Sequence, residues 1–204
     1  MIQTRRAGDS WKIRLNNLTP QFRTGRRQLL VNITGLAGLD PRVEVGGPII
    51  KGRLFLEQTA QYKYSSDEIP TLPEDERRIT NWLTAFTRVD ANLSPRHSLV
   101  ATGGLMPTNI TYASLGTFTP AEATLDFRDR VNHVAVTERA VWGDSLVGET
   151  TFRLDQFDTE VTARGTAPME LWPDTTLGNF FNDGRRTPSV FQWIEMFSGS
   201  RNGA

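Results

Sequence analysis

Strict alternation of apolar and polar residues between positions 54 and 63 is the feature that most constrains how this chain can fold. The two sets are Leu54, Leu56, Ala60 and Tyr62 on one parity and Glu57, Thr59, Gln61 and Lys63 on the other. A period of two residues predicts a β-strand with one apolar and one polar face. The alternation lasts about ten residues, longer than an average strand of about five or six, and matches a tilted strand that crosses a bilayer.

The residues before this strand complete a predicted β-hairpin. A first arm at 43–50 leads into a turn at 51–53, where Gly52 can adopt the positive φ that tight hairpin turns require. Tyr62 and Tyr64 end the apolar face of the second arm, where the aromatic girdle of a membrane barrel would lie. The hairpin therefore favours a long-stranded antiparallel sheet.

Short turns and long loops alternate along the rest of the chain. The turns are predicted at 51–53, 94–96 and 143–145, and the loops at 65–77, 107–124 and 165–186. Transmembrane β-barrels are built from long strands whose connections are short on one side of the membrane and long on the other. We therefore predict an all-β fold, an antiparallel meander of about eight long strands that forms an incomplete piece of a transmembrane β-barrel.

Charged residues keep to one parity in two of the predicted strands, at 83–91 and 146–156. These residues are Arg88 and Asp90 in the first strand and Glu149, Arg153 and Asp155 in the second. An Arg or Lys on the lipid face near the membrane midplane costs about 2–4 kcal/mol. The segregation therefore favours one lipid-facing and one lumen-facing side.

Two segments leave alternatives open. The strand at 131–142 carries a charge on each parity, Glu138 and Arg139, so its lumen and lipid faces are undecided. Residues 73–86 combine an acidic first turn with apolar residues at helical spacing, so a helix competes almost evenly with a strand there.

Composition removes several classes of function. The 23 basic and 23 acidic residues balance, so bulk charge predicts no nucleic-acid partner. The absence of cysteine excludes disulfides, thiolate metal sites and a cysteine nucleophile. His97 and His133 lack HxH or HExxH spacing, which favours structural roles for both. We therefore expect no enzymatic activity, no cofactor and no metal site.

Several short motifs, in chain order, resemble those of TonB-dependent outer-membrane receptors of the large Oar-like type. They are TRRAG at 4–8, GGPIIKGRLF at 46–55, DANLSPRHSL at 90–99, NFFN at 179–182 and the pair Arg185-Arg186. The second is similar to the family's GGPI-x-K-x-R-x-F hairpin, and the third to its D-x-N-x-S-x-x-H-x-L turn between barrel strands. The first resembles the T-R-R-G-G end of the plug, from which Ala7 departs.

The resemblance implies a barrel of about 22 strands with an N-terminal plug, importing bulky nutrients of the siderophore or oligosaccharide class with energy from TonB. Residues 1–10 would be the plug end and linker, and residues 11–204 a partial barrel domain. The implied location is the bacterial outer membrane, although the start of this sequence lacks the apolar core of a signal peptide. The implied partners are outer-membrane lipid, lipopolysaccharide and the rest of the parent barrel and plug, with TonB reached only through a missing N-terminal part.

Two arginine pairs, Arg26-Arg27 and Arg185-Arg186, fall in or near the predicted outer loops. Because guanidinium groups pair well with phosphate, one hypothesis is that they contact lipopolysaccharide. Ordinary loop solubility is the favoured alternative.

Two rival interpretations of the whole chain also stand. One is a complete eight-stranded barrel that closes on itself. The other is a soluble β-rich or α+β binding module, which a helix at 73–86 or a closed two-sheet core would favour.

Overall fold

The computed structural model describes residues 10–25, 33–143, 145–180 and 182–199. Apart from one short 3₁₀ turn at Ala121–Ala123, their regular structure is β-strand. The strands are β1 (Lys12–Asn16), β2 (Gln21–Thr24), β3 (Ile33–Leu39), β4 (Arg42–Ile50), β5 (Leu54–Glu68), β6 (Arg77–Ser94), β7 (His97–Thr111), β8 (Leu125–Trp142), β9 (Leu146–Ala163), β10 (Glu170–Leu171), β11 (Thr176–Leu177), β12 (Gly184–Arg186) and β13 (Ser189–Gly199). The predicted plug end at 4–8 lies outside the described residues.

The strands form one antiparallel sheet in the order β1-β4-β5-β6-β7-β8-β9-β12, and β10 pairs only with β11 in a separate ribbon. β3 and β4 both pair with β5, β12 and β13 both pair with β9, and β1 and β2 lie along β4 and β3. Each of these couples forms one long, interrupted strand. The prediction of an all-β antiparallel meander of about eight long strands is confirmed.

Proline explains the three interruptions, because it has no N–H to donate to the ladder. Pro20, Pro41 and Pro188 each stand directly before the residue where a strand resumes. The carbonyl of Pro41 accepts a hydrogen bond from Tyr62 at 3.1 Å, and that of Pro188 accepts one from Phe157 at 2.9 Å. The pairing partner is therefore kept across the second and third breaks.

The predicted strand boundaries need correction at the long-loop side. β5 continues through Ser65 to Glu68 and β7 through Pro107 to Thr111, so the first two loops are shorter than predicted. The helix alternative at 73–86 is wrong, because β6 begins at Arg77 and pairs with β5 along the whole length of β5. β6 pairs with β5 on one side and with β7 on the other, and this long-range pairing overrides the local helical spacing.

The sheet is open. β1 and β2 lie at one edge, β12 and β13 lie at the other, and the two edges do not pair within the described part of the chain. The eight-stranded barrel that closes on itself is therefore not observed. The described residues also contain neither a helix at 73–86 nor a second sheet packed on the first, the two features that would have favoured a soluble module.

Candidate functional site

The cross-strand register gives the sheet one apolar face. One row across it places Leu56 opposite Val89, Val89 opposite Ala101, Ala101 opposite Val136 and Val136 opposite Phe152. The row continues to Trp193 at one edge, and to Gly47 with Trp11 against it at the other. Apolar side chains therefore line up across the full width of the sheet.

Large apolar side chains on this face are exposed rather than buried. They include Trp11, Ile13, Leu15, Val43, Leu105, Val134, Phe152, Leu154, Phe191, Trp193 and Phe197, and we call the surface that they form the apolar face. Trp193, for example, is 61% exposed. Soluble monomers rarely expose contiguous apolar patches larger than a few hundred Å². A surface of this extent requires an apolar environment or a covering partner.

Two polar residues in the middle of the apolar face, Gln58 and Thr87, are hydrogen-bonded to each other. Gln58 and Thr87 lie opposite one another in β5 and β6, and the Thr87 hydroxyl donates a hydrogen bond to the Gln58 side-chain oxygen. In a hydrocarbon environment an unsatisfied polar group would cost several kcal/mol. The pairing makes these two residues compatible with an apolar surrounding.

Charged and aromatic residues bound the apolar face on the side of the long loops. A single row runs from Tyr64 through Asn81, Asn109, Arg128 and Glu160 to Arg185. The neighbouring row places Arg130 opposite Asp158. We call Arg128, Arg130, Asp158, Glu160 and Arg185 the charged belt. This belt was not predicted from the sequence, although the apolar parity of β9 runs from Phe152 and Leu154 into Asp158 and Glu160.

Acidic residues bound the same face on the side of the short turns. Glu138 and Glu195 both lie opposite Thr150. From Glu138 to Arg130 is eight positions along β8 (138 − 130), or roughly 26 Å at about 3.3 Å per residue. Strands of outer-membrane barrels are tilted by about 35–45°, so this length projects to roughly 20 Å across a bilayer, somewhat less than the apolar band of about 25 Å in such barrels.

The two faces of the strand at 131–142 are now assigned. Glu138 lies on the apolar face at its turn-side boundary, where its Oε1 is 3.3 Å from Nδ1 of His97. Arg139 lies on the opposite face, where Glu149 is its cross-strand neighbour. The strand carries a charge on both parities because Glu138 lies at the boundary of the apolar face and Arg139 lies on the polar face.

The polar face carries the charges that the sequence segregated. Arg88 binds Asp90 through two hydrogen bonds of 2.8 Å. Asp155 is buried between His133, whose Nδ1 is 2.7 Å from Oδ1, and Arg153, whose Nε donates to Oδ2 at 2.6 Å. The prediction that one face would hold these charges is confirmed. His133 therefore has a structural partner, as the sequence analysis favoured.

Arg185 and Arg186 lie on opposite faces of the sheet. Arg185 belongs to the charged belt and makes two hydrogen bonds to Asp158, at 2.7 and 2.8 Å. The guanidinium holds the pKa of Asp158 below its ordinary value, and the carboxylate raises the pKa of Arg185. Arg186 lies on the polar face opposite Thr159. Arg26 and Arg27, the other predicted pair, lie outside the described residues.

The loops that follow β7 and β9 pack into one cap. Leu115, Ala123 and Thr124 are buried in it, and the amide of Thr176 donates to the carbonyl of Phe118 at 2.8 Å. These connections carry defined contacts with each other.

An ion pair anchors this cap to the sheet. Arg164 makes two hydrogen bonds of 2.9 Å to Asp126 and lies 3.7 Å above the ring of Tyr112. Burial of Arg164 disfavours its charge, but the bond to Asp126 outweighs burial and raises the pKa of Arg164. The pair is partly exposed, and it links the residue that follows β9 to β8 at the base of the cap.

The described residues contain no group of three or more His, Cys, Asp or Glu side chains placed to hold a metal ion. No helix in the described ranges is long and apolar enough to cross a membrane. No protein-family model matches this chain, and searches of the curated proteins and of the solved structures give no significant match. The fold class is therefore what is established for this protein: an open antiparallel sheet with one apolar and one polar face.

Proposed function

We propose that this chain forms part of the wall of a transmembrane β-barrel in the bacterial outer membrane, as a fragment of a TonB-dependent receptor of the Oar-like type. Its role is non-enzymatic. The observation that carries the proposal is the apolar face, which crosses the sheet from Trp11 to Trp193 and is bounded by charge at both ends.

Lipid is the proposed environment of that face. Transfer of a Phe side chain from water into an apolar phase is worth about 1.5–3 kcal/mol, and the face exposes many such groups. Tyr64 and the charged belt would lie at the outer interface, and Trp142 and Phe197, whose ring centroids are 6.1 Å apart, near the inner one. Aromatic girdles at both interfaces are typical of outer-membrane barrels.

The open edges support a part within a larger barrel. β1 and β13 present unpaired backbone groups at the two edges of the described sheet, and each such group costs several kcal/mol in hydrocarbon. Further strands of the parent barrel would remove both edges. They are the first proposed partners, together with the plug and lipid.

The polar face is proposed to line the lumen. Several of its charges are paired within the sheet, as in the cluster of Asp155, His133 and Arg153, which suits a water-filled or plugged interior. The parent receptor would take up bulky nutrients of the siderophore or oligosaccharide class. TonB would act on a segment of the parent receptor outside this sequence.

Lipopolysaccharide is a further proposed partner, at the charged belt. Arg128, Arg130 and Arg185 lie on the apolar face at its outer boundary, the level at which lipopolysaccharide phosphates would meet a barrel. The placement favours Arg185 over Arg186 for this contact.

The DNA that flanks this reading frame tests the assignment to the receptor class. We expect an in-frame signal peptide, TonB box and plug upstream, and further long strands of alternating polarity downstream. Stop codons and unrelated genes on both sides would contradict the proposal.

A further inference from the structure

A recess of about 510 Å³ opens on the polar face at the loop end of β8, β9 and β12. Phe127, Val161 and Phe180 line it with apolar surface, and Gly184 and Arg186 border it. Ligand sites of proteins typically have volumes of about 300–1,000 Å³ and apolar walls with a few polar groups. The recess therefore has the size and lining of a site for a small molecule.

The register explains why the recess exists. Phe127 lies opposite Val161, and Val161 lies opposite Gly184, so the third position of this row has no side chain. A Cβ placed on Gly184 would meet no atom within 4 Å. Two bulky residues beside an empty position leave a space, and Phe180 borders it from the loop.

The positively charged side chain of Arg186 borders this space. In the adjacent row Asp129 lies opposite Thr159 and Thr159 opposite Arg186. The Thr159 hydroxyl donates to Asp129 at 2.6 Å. Asp129 and Arg186 lie two strands apart in the sheet, so roughly 10 Å separates their backbones. Among the described residues Arg186 has no carboxylate at ion-pairing distance, whereas Arg185 beside it is held by Asp158.

We propose that this recess binds a small anionic molecule with an apolar, ring-bearing body. Arg186 binds its carboxylate, sulfonate or phosphate group, since a guanidinium forms charge-assisted hydrogen bonds with such anions. Phe127, Phe180 and Val161 contact the body, which lies over Gly184. The site goes beyond the proposed membrane role, because every residue that it uses belongs to the polar face or the loops.

Calorimetric titration of the full chain in non-ionic detergent, with naphthoate as the probe and a micelle-only blank, tests the site. We expect saturable binding of naphthoate, and binding of the neutral naphthamide weaker by about tenfold, because the amide loses the charged contact. Equal affinity for the two compounds, or no saturable binding of naphthoate, would overturn the proposal.

Variants locate the site. Arg186→Gln should weaken naphthoate binding about tenfold and leave naphthamide binding unchanged, while Gly184→Leu should weaken both by filling the recess. Arg139→Gln removes the same charge from the same face near the far end of β8 and should change neither. Arg186→Lys keeps the charge and should retain most of the affinity. It becomes the deciding variant if circular dichroism shows that Arg186→Gln has lost the sheet. Equal effects of Arg186→Gln and Arg139→Gln, or no effect of Gly184→Leu, would contradict the assignment.

Discussion

Arg185 and Arg186 are neighbours in the chain but lie on opposite faces of the sheet, because successive residues of a strand alternate in direction. Arg185 is held by Asp158 within the charged belt, and Arg186 borders the recess on the polar face. A pair that looks like one basic cluster in the sequence therefore serves two surfaces.

This separation predicts unequal effects on lipopolysaccharide binding. Arg185→Gln should weaken binding of the detergent-solubilised chain to immobilised lipopolysaccharide several-fold, because a guanidinium–phosphate contact is lost from the belt. Arg186→Gln should weaken it much less, since its side chain faces the other way. Equal losses would contradict the assignment of Arg185 to the outer boundary.

The ion pair between Arg185 and Asp158 predicts a pH dependence of stability. The folded-state pKa of Asp158 is lowered by Arg185, so the unfolded chain binds the proton more readily than the folded chain. The stabilisation is therefore complete above the unfolded-state pKa of about 3.9 and is lost as the pH falls from there through the lowered folded value.

Thermal unfolding of the wild type and Asp158→Asn, measured from pH 6 downward, checks this dependence. The difference in Tm should be constant above about pH 5 and should vanish in strong acid. A difference in Tm that grows as the pH falls would have the wrong sign.

The close packing of Trp11 against Gly47 leaves no room for a side chain at position 47. A Cβ there would lie 2.6 Å from the ring of Trp11 and 2.8 Å from its Cα. Because the second contact is with backbone, β1 would have to move. Gly47→Ala should lower the free energy of unfolding in urea by about 1–3 kcal/mol, whereas Gly184→Ala, built into open space, should change it by less than about 0.5 kcal/mol. Similar small changes for both would rule out the close contact of Trp11.

The buried Asp155 predicts a larger energetic role than the exposed Glu138, although each binds a histidine. Asp155→Ala leaves His133 and Arg153 without their partner and should destabilise the sheet by about 1–3 kcal/mol. Glu138→Ala removes an exposed contact with His97 and should cost less than about 1 kcal/mol. Chemical denaturation of the two variants measures both values, and the reverse order would refute the role given to Asp155.

The sequence predicted the parts of the fold that depend on local rules. Gly52 adopts φ +72° in its turn and Gly143 adopts φ +61° in another, because tight turns require the left-handed region. The segregation of Arg88 and Asp90 onto one face also follows from a period of two.

The remaining features depend on distant pairing. Ser65–Glu68 reads as loop from its polar residues, yet it is strand because 77–80 pairs with it. The recess beside Gly184 arises only when β12 lies along β9, and the cap forms only when two loops meet. No local pattern encodes these contacts.

Quenching of tryptophan fluorescence by brominated phospholipid is the measurement that tests the central claim most directly. Of the five tryptophans, Trp193 lies on the apolar face and Trp82 on the polar face, opposite Lys63 and Thr108. Two single-tryptophan variants, with the other four changed to Phe, would be refolded into vesicles with and without brominated chains. The account predicts strong quenching of Trp193 and much weaker quenching of Trp82. Equal quenching of both, or none of Trp193, would contradict a lipid-facing apolar surface.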